Sequence, residues 1–126
     1  PGHPAPVPLE VGLLILVNEV PKVPQIIQLL DWQDQPDHYI MVLERPEPCE
    51  DLWHYVTRCG GTLNEFVARL VMWQVTYAAQ VCCVRGVLHR DIKLQNLLIN
   101  PKTLEVKLID FGCGDLLKES AYHRYW

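Results

Sequence analysis

Four polar residues in the second half of the chain have the types and spacing that metal-assisted phosphoryl transfer requires. They are Asp91, Lys93, Asn96 and Asp110, within the pattern H-R-D-x-x-x-x-N and, fourteen residues after its asparagine, the tripeptide D-F-G. Phosphoryl transfer depends mainly on positioning the reactants and neutralising their charge. We expect Asp91 to accept a hydrogen bond from an attacking hydroxyl group and Lys93 to balance the charge of the transferred phosphate. Asn96 and Asp110 offer the oxygen ligands that Mg²⁺ prefers.

Asp91 and Asp110 also have ordinary structural explanations. Taken alone, Asp91 would be a capping residue and Asp110 an Asx turn. The joint spacing of seven fixed residues, each in the expected loop or strand context, favours the catalytic interpretation. His89 and Phe111 are predicted to be packing residues, with His89 bonded to the backbone and Phe111 in the core. Arg90 is predicted to anchor the loop that follows D-F-G.

Short strands and one long helix must position these residues. The expected strands are Val87–Leu88, Leu97–Asn100 and Glu105–Ile109. In the preceding segment apolar residues recur every three or four positions, at Phe66, Leu70, Trp73, Tyr77, Val81 and Val84. This period predicts a helix over Leu63–Arg85. Thr62 and Glu65 are spaced as a capping box at its start, and Gly86 is expected to end it.

The first half of the chain predicts a helix, a hairpin and a second, shorter helix. In the apolar stretch Leu9–Val17, Glu10 shares a face with Leu13, Leu14 and Val17, which favours helix over buried strand. Ile26–Trp32 and His38–Glu44 predict an antiparallel hairpin around a turn at residues 33–37. The prolines of Arg45-Pro46-Glu47-Pro48 end this sheet, and a helix over Asp51–Thr57 follows.

Composition limits the class of protein. The 126 residues are 49% hydrophobic and 21% charged, which excludes an extensively disordered or collagen-like chain. The formal net charge of −4 gives no electrostatic reason to expect nucleic acid or an anionic membrane as a partner. The longest apolar run, Val11 to Val17, is shorter than the roughly 20 residues that span a bilayer. Five cysteines without a CxxC pair indicate free thiols in a reducing compartment. We expect a cytoplasmic location, with the nucleus as a second one.

These motifs and their flanking segments make the chain resemble a eukaryotic protein kinase domain and, more narrowly, the Pim family of serine/threonine kinases. The segments that carry the resemblance are Leu29–Trp32, Leu43–Pro48, Gly86–Lys93 and Lys107–Gly112, and the E-R-P-E-P connector is the most family-specific of their features. The resemblance implies an α+β, two-lobe kinase fold, of which the chain would cover helix αC to the start of the activation loop. Residues 1–8 would be an extended proline-rich lead-in and residues 9–45 the end of the small lobe, with helix αC, two strands and the hinge. Residues 46–126 would be the first part of the large lobe, truncated after D-F-G.

The resemblance also implies sites for ATP and Mg²⁺. Glu10 resembles the helix αC glutamate that pairs with a small-lobe lysine, and Leu43 resembles the gatekeeper of the nucleotide pocket. Glu44, Arg45 and Pro46 resemble the hinge over the adenine. Pro46 would remove one hydrogen bond to adenine, a loss of about 1 kcal/mol. The alternatives are a solvated carboxylate at a helix start for Glu10 and a strand terminator for Pro46.

The chain also departs from the family pattern. It contains no glycine-rich phosphate loop, no matching small-lobe lysine and no A-P-E segment. The family's acidic substrate pocket favours arginine-rich peptides, but Leu94, Gln95 and His54 stand where acidic residues are expected. We therefore expect a weaker preference for basic substrates.

The sequence thus predicts a piece of a serine/threonine kinase that transfers the ATP γ-phosphate to protein substrates. The choice of serine and threonine over tyrosine is implied by resemblance, since a lysine two residues after Asp91, here Lys93, is similar to that class. An inactive kinase-like interaction module is the alternative, and a plain α+β structural domain is a third reading. Neither nucleic acid nor a membrane is expected as a partner, and the oligomeric state is left open. We expect the isolated chain to be inactive and marginally stable, with Phe66, Trp73 and Tyr77 exposed as an adhesive patch.

Overall fold

Helices and short strands alternate along the chain, in agreement with the predicted α+β class. The structure is a computed structural model that describes residues 6–119 and 122. Within those residues the helices are α1 (Leu9–Val17), α2 (Leu52–Arg58) and α3 (Glu65–Val84), with a 3₁₀ turn at Leu94–Asn96. The strands are β1 (Leu29–Asp34), β2 (Tyr39–Leu43), β3 (Glu50–Asp51), β4 (Val87–Leu88), β5 (Leu97–Ile99), β6 (Val106–Leu108) and β7 (Asp115–Leu116). Of the predicted lead-in, residues 1–5 lie outside the described part, and residues 6–8 have no regular structure.

Helix α1 confirms the prediction for the first apolar stretch. Its buried side chains are Val11, Leu13, Leu14 and Val17. Asn18 follows the helix, donates from Nδ2 to the carbonyl oxygen of Ile27 at 3.1 Å, and accepts the N–H of Leu29 at 2.6 Å. These two bonds attach the end of α1 to the start of β1, so the helix and the hairpin are held together.

Strands β1 and β2 form the predicted antiparallel hairpin, but the predicted start of its first strand at Ile26 is wrong. Ile26 and Ile27 lie beside β6 instead, where the N–H of Ile27 donates to the carbonyl oxygen of Leu108 at 3.0 Å. The N–H of Leu108 donates in turn to Gln25 at 2.8 Å. The predicted strand Ile26–Trp32 is therefore divided between two sheets, and its two isoleucines belong to the core around β6.

A second sheet supports the loop that carries the catalytic motif. Strand β5 lies between β3 and β6, and β4 pairs separately with β7, all antiparallel. The predicted strands after the H-R-D loop are present with shorter bounds. The predicted short helix is α2, which begins after Asp51, whose carboxylate accepts the N–H of His54 at 2.9 Å. This arrangement places the loop of residues 89–96 between the two pieces of sheet.

The long helix α3 is present as predicted, but the predicted capping box is wrong. The helix begins at Glu65, and Asn64 caps it by accepting the N–H of Val67 at 2.9 Å. Thr62 lies two residues before Asn64 and so too early for that geometry, since a capping side chain must stand immediately before the first helical residue. Gly86 ends the helix as expected, because it takes the left-handed conformation, with φ of 80°.

One side of α3 packs on the core, and another carries large exposed side chains. The buried residues are Val71, Gln74, Val75, Ala78 and Cys82. The expected exposure of the aromatic residues is confirmed: Phe66 is 73%, Trp73 62% and Tyr77 39% exposed. Among the described helices, α3 is the one whose length and composition would allow it to cross a membrane, although its buried side belongs to the core.

Candidate active site

His89 fixes the start of the H-R-D loop as it leaves β4. It is 3% exposed, and its Nε2 donates to the carbonyl oxygen of Ile109 at 2.8 Å. Its Nδ1 accepts the N–H of Asp91 at 3.1 Å, and its ring meets Phe111 at 4.7 Å between centroids. Burial lowers the pKa of His89, while its hydrogen bond with Ile109 acts in the opposite direction. The neutral ring therefore joins the loop to the D-F-G segment, as the packing prediction requires.

Arg90 ties the same loop to the residues that follow D-F-G. Its backbone is in the left-handed region, with φ of 70°, which a non-glycine residue adopts at a cost in strain. Its Nε donates to the carbonyl oxygen of Cys113 at 2.8 Å, and its guanidinium lies 5.4 Å from the ring centre of Tyr122. The predicted anchoring is confirmed, with a carbonyl group and an aromatic ring as the contacts.

The structure brings Asp91, Lys93 and Asn96 together. Nδ2 of Asn96 donates to the backbone oxygen of Asp91 at 2.9 Å and to its Oδ2 at 3.0 Å. Nζ of Lys93 lies 3.6 Å from Oδ1 of Asp91. Asn96 is 6% exposed, whereas the side chain of Lys93 is 53% exposed. The carboxylate of Asp91 is thus held through Oδ2 by a buried amide and faced at Oδ1 by an exposed cation.

Asp110 is placed beside Asn96 by the backbone. The N–H of Ile109, its neighbour in the chain, donates to the carbonyl oxygen of Asn96 at 3.0 Å. Asp110 has a left-handed φ of 61° and an exposed side chain, and its Oδ1 accepts the N–H of Gly112 at 3.1 Å. The strained backbone turns the carboxylate outward, away from the core that holds Phe111.

The oxygen atoms at this point suit Mg²⁺. The NH₂ group of Asn96 is committed to Asp91, so this side chain offers its amide oxygen to other partners. Mg²⁺ is usually held by one or two protein oxygen ligands together with water and phosphate oxygens. Asn96 and Asp110 meet that need. The described residues contain no group of three or more His, Cys, Asp or Glu side chains arranged to hold a metal alone.

A cavity of about 290 Å³ opens between α1, the end of β2 and the D-F-G segment. Its lining consists of Glu10, Leu14, Ile27, Leu43, Glu44, Leu98, Ile109 and Asp110. Three of the predicted nucleotide residues, Glu10, Leu43 and Glu44, therefore lie at this cavity together with the predicted metal ligand Asp110. The sequence reasoning missed Leu98 and Ile109, whose apolar side chains make the opposite wall suitable for a flat ring.

Two predicted nucleotide residues are not brought to this cavity. Pro46 lines a neighbouring cavity of about 150 Å³ with Glu47 and Cys49, and Arg45 is exposed and lines neither cavity. The carboxylate of Glu44 is also turned to the protein, because its Oε1 accepts the N–H of Gln28 at 2.8 Å. The backbone N–H of Glu44 also donates to the carbonyl oxygen of Gln28, at 2.9 Å, so a polar contact from Glu44 to a ring in the cavity would come from its backbone carbonyl oxygen.

Glu10 has a tyrosine as its hydrogen-bond partner in the described part of the chain. The hydroxyl of Tyr39 donates to its Oε1 at 3.2 Å. Burial raises the pKa of Glu10; the bond from Tyr39 opposes this rise, and the charge of Asp110 adds to it. Glu10 therefore faces the D-F-G aspartate across the cavity, which is where a cationic group or a bound cation would be stabilised. The predicted pairing of Glu10 with a lysine stays a prediction.

Comparison with known proteins agrees with this geometry. The family model described as the protein kinase domain matches residues 9–125. Over 97% of its length the chain is 42% identical to serine/threonine-protein kinase pim-2 of Danio rerio, of which it covers 41%. It is 37% identical to serine/threonine-protein kinase prk-2 of Caenorhabditis elegans over 92% of the chain and 25% of that protein. The chain thus spans less than half the length of these relatives. It belongs to the protein kinase family and, within it, is similar to the Pim-type serine/threonine kinases.

Proposed function

We propose that this chain carries the catalytic loop of a serine/threonine protein kinase, which transfers the γ-phosphate of ATP to hydroxyl groups of protein substrates. One observation carries the proposal. Asp91, Lys93 and Asn96 form one hydrogen-bonded and ion-paired cluster, and a backbone bond places Asp110 next to it. Any one of these residues alone would have an ordinary structural role.

In this proposal Asp91 orients the attacking hydroxyl group. Its carboxylate accepts the hydrogen bond of a serine or threonine hydroxyl and so orients the oxygen toward the phosphorus. The two bonds from Asn96 keep the carboxylate in that orientation. Lys93 is exposed and flexible enough to leave Asp91 for the transferred phosphate, whose negative charge it neutralises.

The cavity beside Asp110 accommodates the nucleotide. Its apolar lining, which includes Leu43, Leu98 and Ile109, suits the adenine ring. Asn96 and Asp110 would hold Mg²⁺, which when bound neutralises the charge of the phosphate oxygens. The two ligands lie between the cavity and Asp91, so the phosphate chain would point from the adenine site toward the acceptor site.

The second candidate is an inactive kinase-like module that acts only through binding. The partnership of Glu10 with Tyr39 favours it, because that carboxylate has a neutral partner in the described structure. The intact Asp91, Asn96 and Asp110 favour the catalytic proposal, since a module that only binds has no need of all three.

The proposed substrates are proteins with serine or threonine acceptors and a reduced preference for basic sequences. Leu94 and Gln95 are both exposed within the loop of residues 89–96 and carry no charge that would attract arginine. Leu94→Asp combined with Gln95→Glu should raise the preference for arginine-rich peptides on a peptide array, since each new exposed ion pair contributes about 0.2–1 kcal/mol. Identical array profiles would contradict this.

We further propose a cytoplasmic location with a nuclear pool. All five cysteines are free thiols in the structure, which suits a reducing compartment. Imaging of a fluorescently tagged chain in cells tests this, and accumulation in the secretory pathway would contradict it.

The metal role is tested by nucleotide titration in a chimaera. Residues 9–119 replace the matching segment of the Danio rerio relative, which supplies the rest of the domain. ATP affinity is measured with and without Mg²⁺ for the unsubstituted chimaera, for Asp110→Ala, and for Asp34→Ala as an exposed control on β1. We expect Mg²⁺ to tighten ATP binding in the unsubstituted chimaera and the control but not in Asp110→Ala. A metal effect that survives Asp110→Ala would place the metal elsewhere.

A further inference from the structure

Helix α3 has a second apolar face that is separate from its buried one. This face, which we call the α3 seam, consists of Phe66, Leu70, Trp73, Tyr77, Gln80 and Val84. Successive residues are four or three positions apart in alternation, which is the heptad spacing of helices that pair with another helix. Phe66 is 73%, Trp73 62% and Val84 79% exposed. In the part of the chain that the structure describes, Leu70 is half-buried and the other seam residues are exposed.

The seam is organised for contact with a further surface. The rings of Trp73 and Tyr77 are stacked with 5.6 Å between centroids and an angle of 4° between their planes, forming one ordered aromatic pair at mid-helix. Toward the helix end, Tyr77 and Val84 border a cavity of about 280 Å³ together with Pro21 and Val23. The exposed apolar surface thus continues from the helix onto the loop that follows α1.

We propose that the α3 seam binds the same seam of a second copy of this chain, with the two helices antiparallel. The seam is symmetric about its centre, so a two-fold axis between Trp73 and Tyr77 places each of them opposite the other and Phe66 opposite Val84. This is the self-complementary arrangement of a two-fold dimer. Antiparallel pairing also places the opposite ends of the two helix dipoles side by side.

The exposed area of the α3 seam and the charges near it agree with a second copy of the chain as the partner. An aromatic side chain buries about 150–250 Å² when covered completely, so the exposed parts of the seam offer on the order of 500 Å² on each copy. Burial on both copies amounts to about 1,000 Å², the lower limit for a specific interface, and fits a reversible dimer. A lipid surface fits less well, because interfacial helices carry several basic residues beside the apolar face. Here the neighbouring Arg69 is paired with Glu65, and the chain carries a net charge of −4.

Sedimentation equilibrium of the 126-residue chain over a range of concentrations tests the proposal. We expect a monomer–dimer equilibrium that Trp73→Glu shifts to monomer, with the dissociation constant raised on the order of 30-fold or more. Met72→Glu is the matched control, since Met72 is 59% exposed on the same helix but outside the seam. Gln80→Leu removes the polar residue of the seam and should tighten the dimer. Circular dichroism checks that all variants are folded.

The orientation is tested by oxidation in a Cys59→Ser background. Antiparallel pairing brings the two copies of position 76 together at the flank, so Thr76→Cys should form a disulfide-linked dimer. Parallel pairing would place the two copies of position 76 on opposite flanks of the interface, where they cannot form a disulfide. A chain that stays monomeric, loss of the dimer in Met72→Glu, or a dimer that Thr76→Cys does not crosslink would overturn the proposal. So would a monomer that binds lipid vesicles through Trp73 without associating with itself.

Discussion

Asn96→Asp would replace the donor that holds Asp91 by a second carboxylate. In the structure Nδ2 of Asn96 lies 2.9 Å from the backbone oxygen of Asp91 and 3.0 Å from its Oδ2, at a position that is 6% exposed. Losing one hydrogen bond to a neutral acceptor and one to a charged acceptor costs about 2–4 kcal/mol of folding free energy. Two carboxylates about 4 Å apart repel each other by a further ~4 kcal/mol at an effective dielectric constant of about 20.

The repulsion gives the variant a characteristic pH dependence. Since 1.36 kcal/mol corresponds to one pH unit, this repulsion raises the pH at which the pair releases its shared proton by about three units. The folded variant therefore binds a proton more tightly than the unfolded one. The added destabilisation is full at about pH 8 and is relieved as the pH falls toward about 5. Asn96→Ala loses the same donors without adding a charge, so its destabilisation relative to the unsubstituted chain should change little between about pH 8 and about pH 5.

Urea denaturation followed by circular dichroism measures this difference. The free energy of unfolding of each variant is compared with that of the unsubstituted chain at the same pH, which cancels the contributions of other titrating groups. We expect Asn96→Asp to be less stable than Asn96→Ala at about pH 8, and its free energy of unfolding to rise as the pH is lowered. If it is unfolded at the higher pH, it should fold as the pH is lowered. Parallel pH profiles for the two variants would refute the placement of the Asn96 amide on Asp91.

His89 gives the chain a pH dependence of the opposite sign. Burial lowers the pKa of His89 in the folded state from the ordinary value of 6.5, so the unfolded state binds protons more readily. The melting temperature should therefore fall as the pH drops below 6.5, and His89→Gln should flatten this decline. Gly114→Ala should cost about 1–3 kcal/mol in urea titration, because overpacking forces neighbouring groups to move. A Cβ there would lie 3.0 Å from the carbonyl oxygen of Leu88. Gly12→Ala, inside α1 with its nearest neighbour 3.5 Å away, should instead stabilise by about 0.5–1 kcal/mol. A decline unchanged in His89→Gln, or equal stability of the two alanine variants, would contradict these assignments.

The clustering of the four polar residues could be predicted because they are close in the chain. Asp91, Lys93 and Asn96 lie within six residues of one loop, and Asp110 returns to them through one hairpin of short strands. Local chain geometry alone therefore limits where these side chains can go. The same holds for Gly86, where the end of α3 requires a left-handed conformation within a single residue.

The apolar parts of the site could not be predicted in the same way. Leu97, Leu98 and Ile99 are all apolar, so the sequence contains no alternation to show that Leu98 faces the cavity while its neighbours are buried. Helix α3 has two apolar faces, and the larger side chains lie on the exposed one. Which side of α3 is buried depends on its contacts with segments distant in the sequence. Gln74 is an example, because its Oε1 accepts the N–H of Val106 at 2.9 Å. Similarly, Ile26 pairs beside Leu108, far along the chain, and so does not belong to β1.

Steady-state phosphoryl transfer from radiolabelled ATP to a serine peptide tests the central claim most directly. The chimaera that carries residues 9–119 is compared with its Asp91→Asn and Asp34→Asn variants. We predict that Asp91→Asn lowers kcat by about 10²–10⁴-fold and changes KM for ATP by no more than a few-fold, because Asp91 faces the acceptor hydroxyl and not the nucleotide. Asp34→Asn should leave both constants unchanged. Near-normal turnover in Asp91→Asn, or an unsubstituted chimaera that folds but transfers no phosphate, would contradict the account.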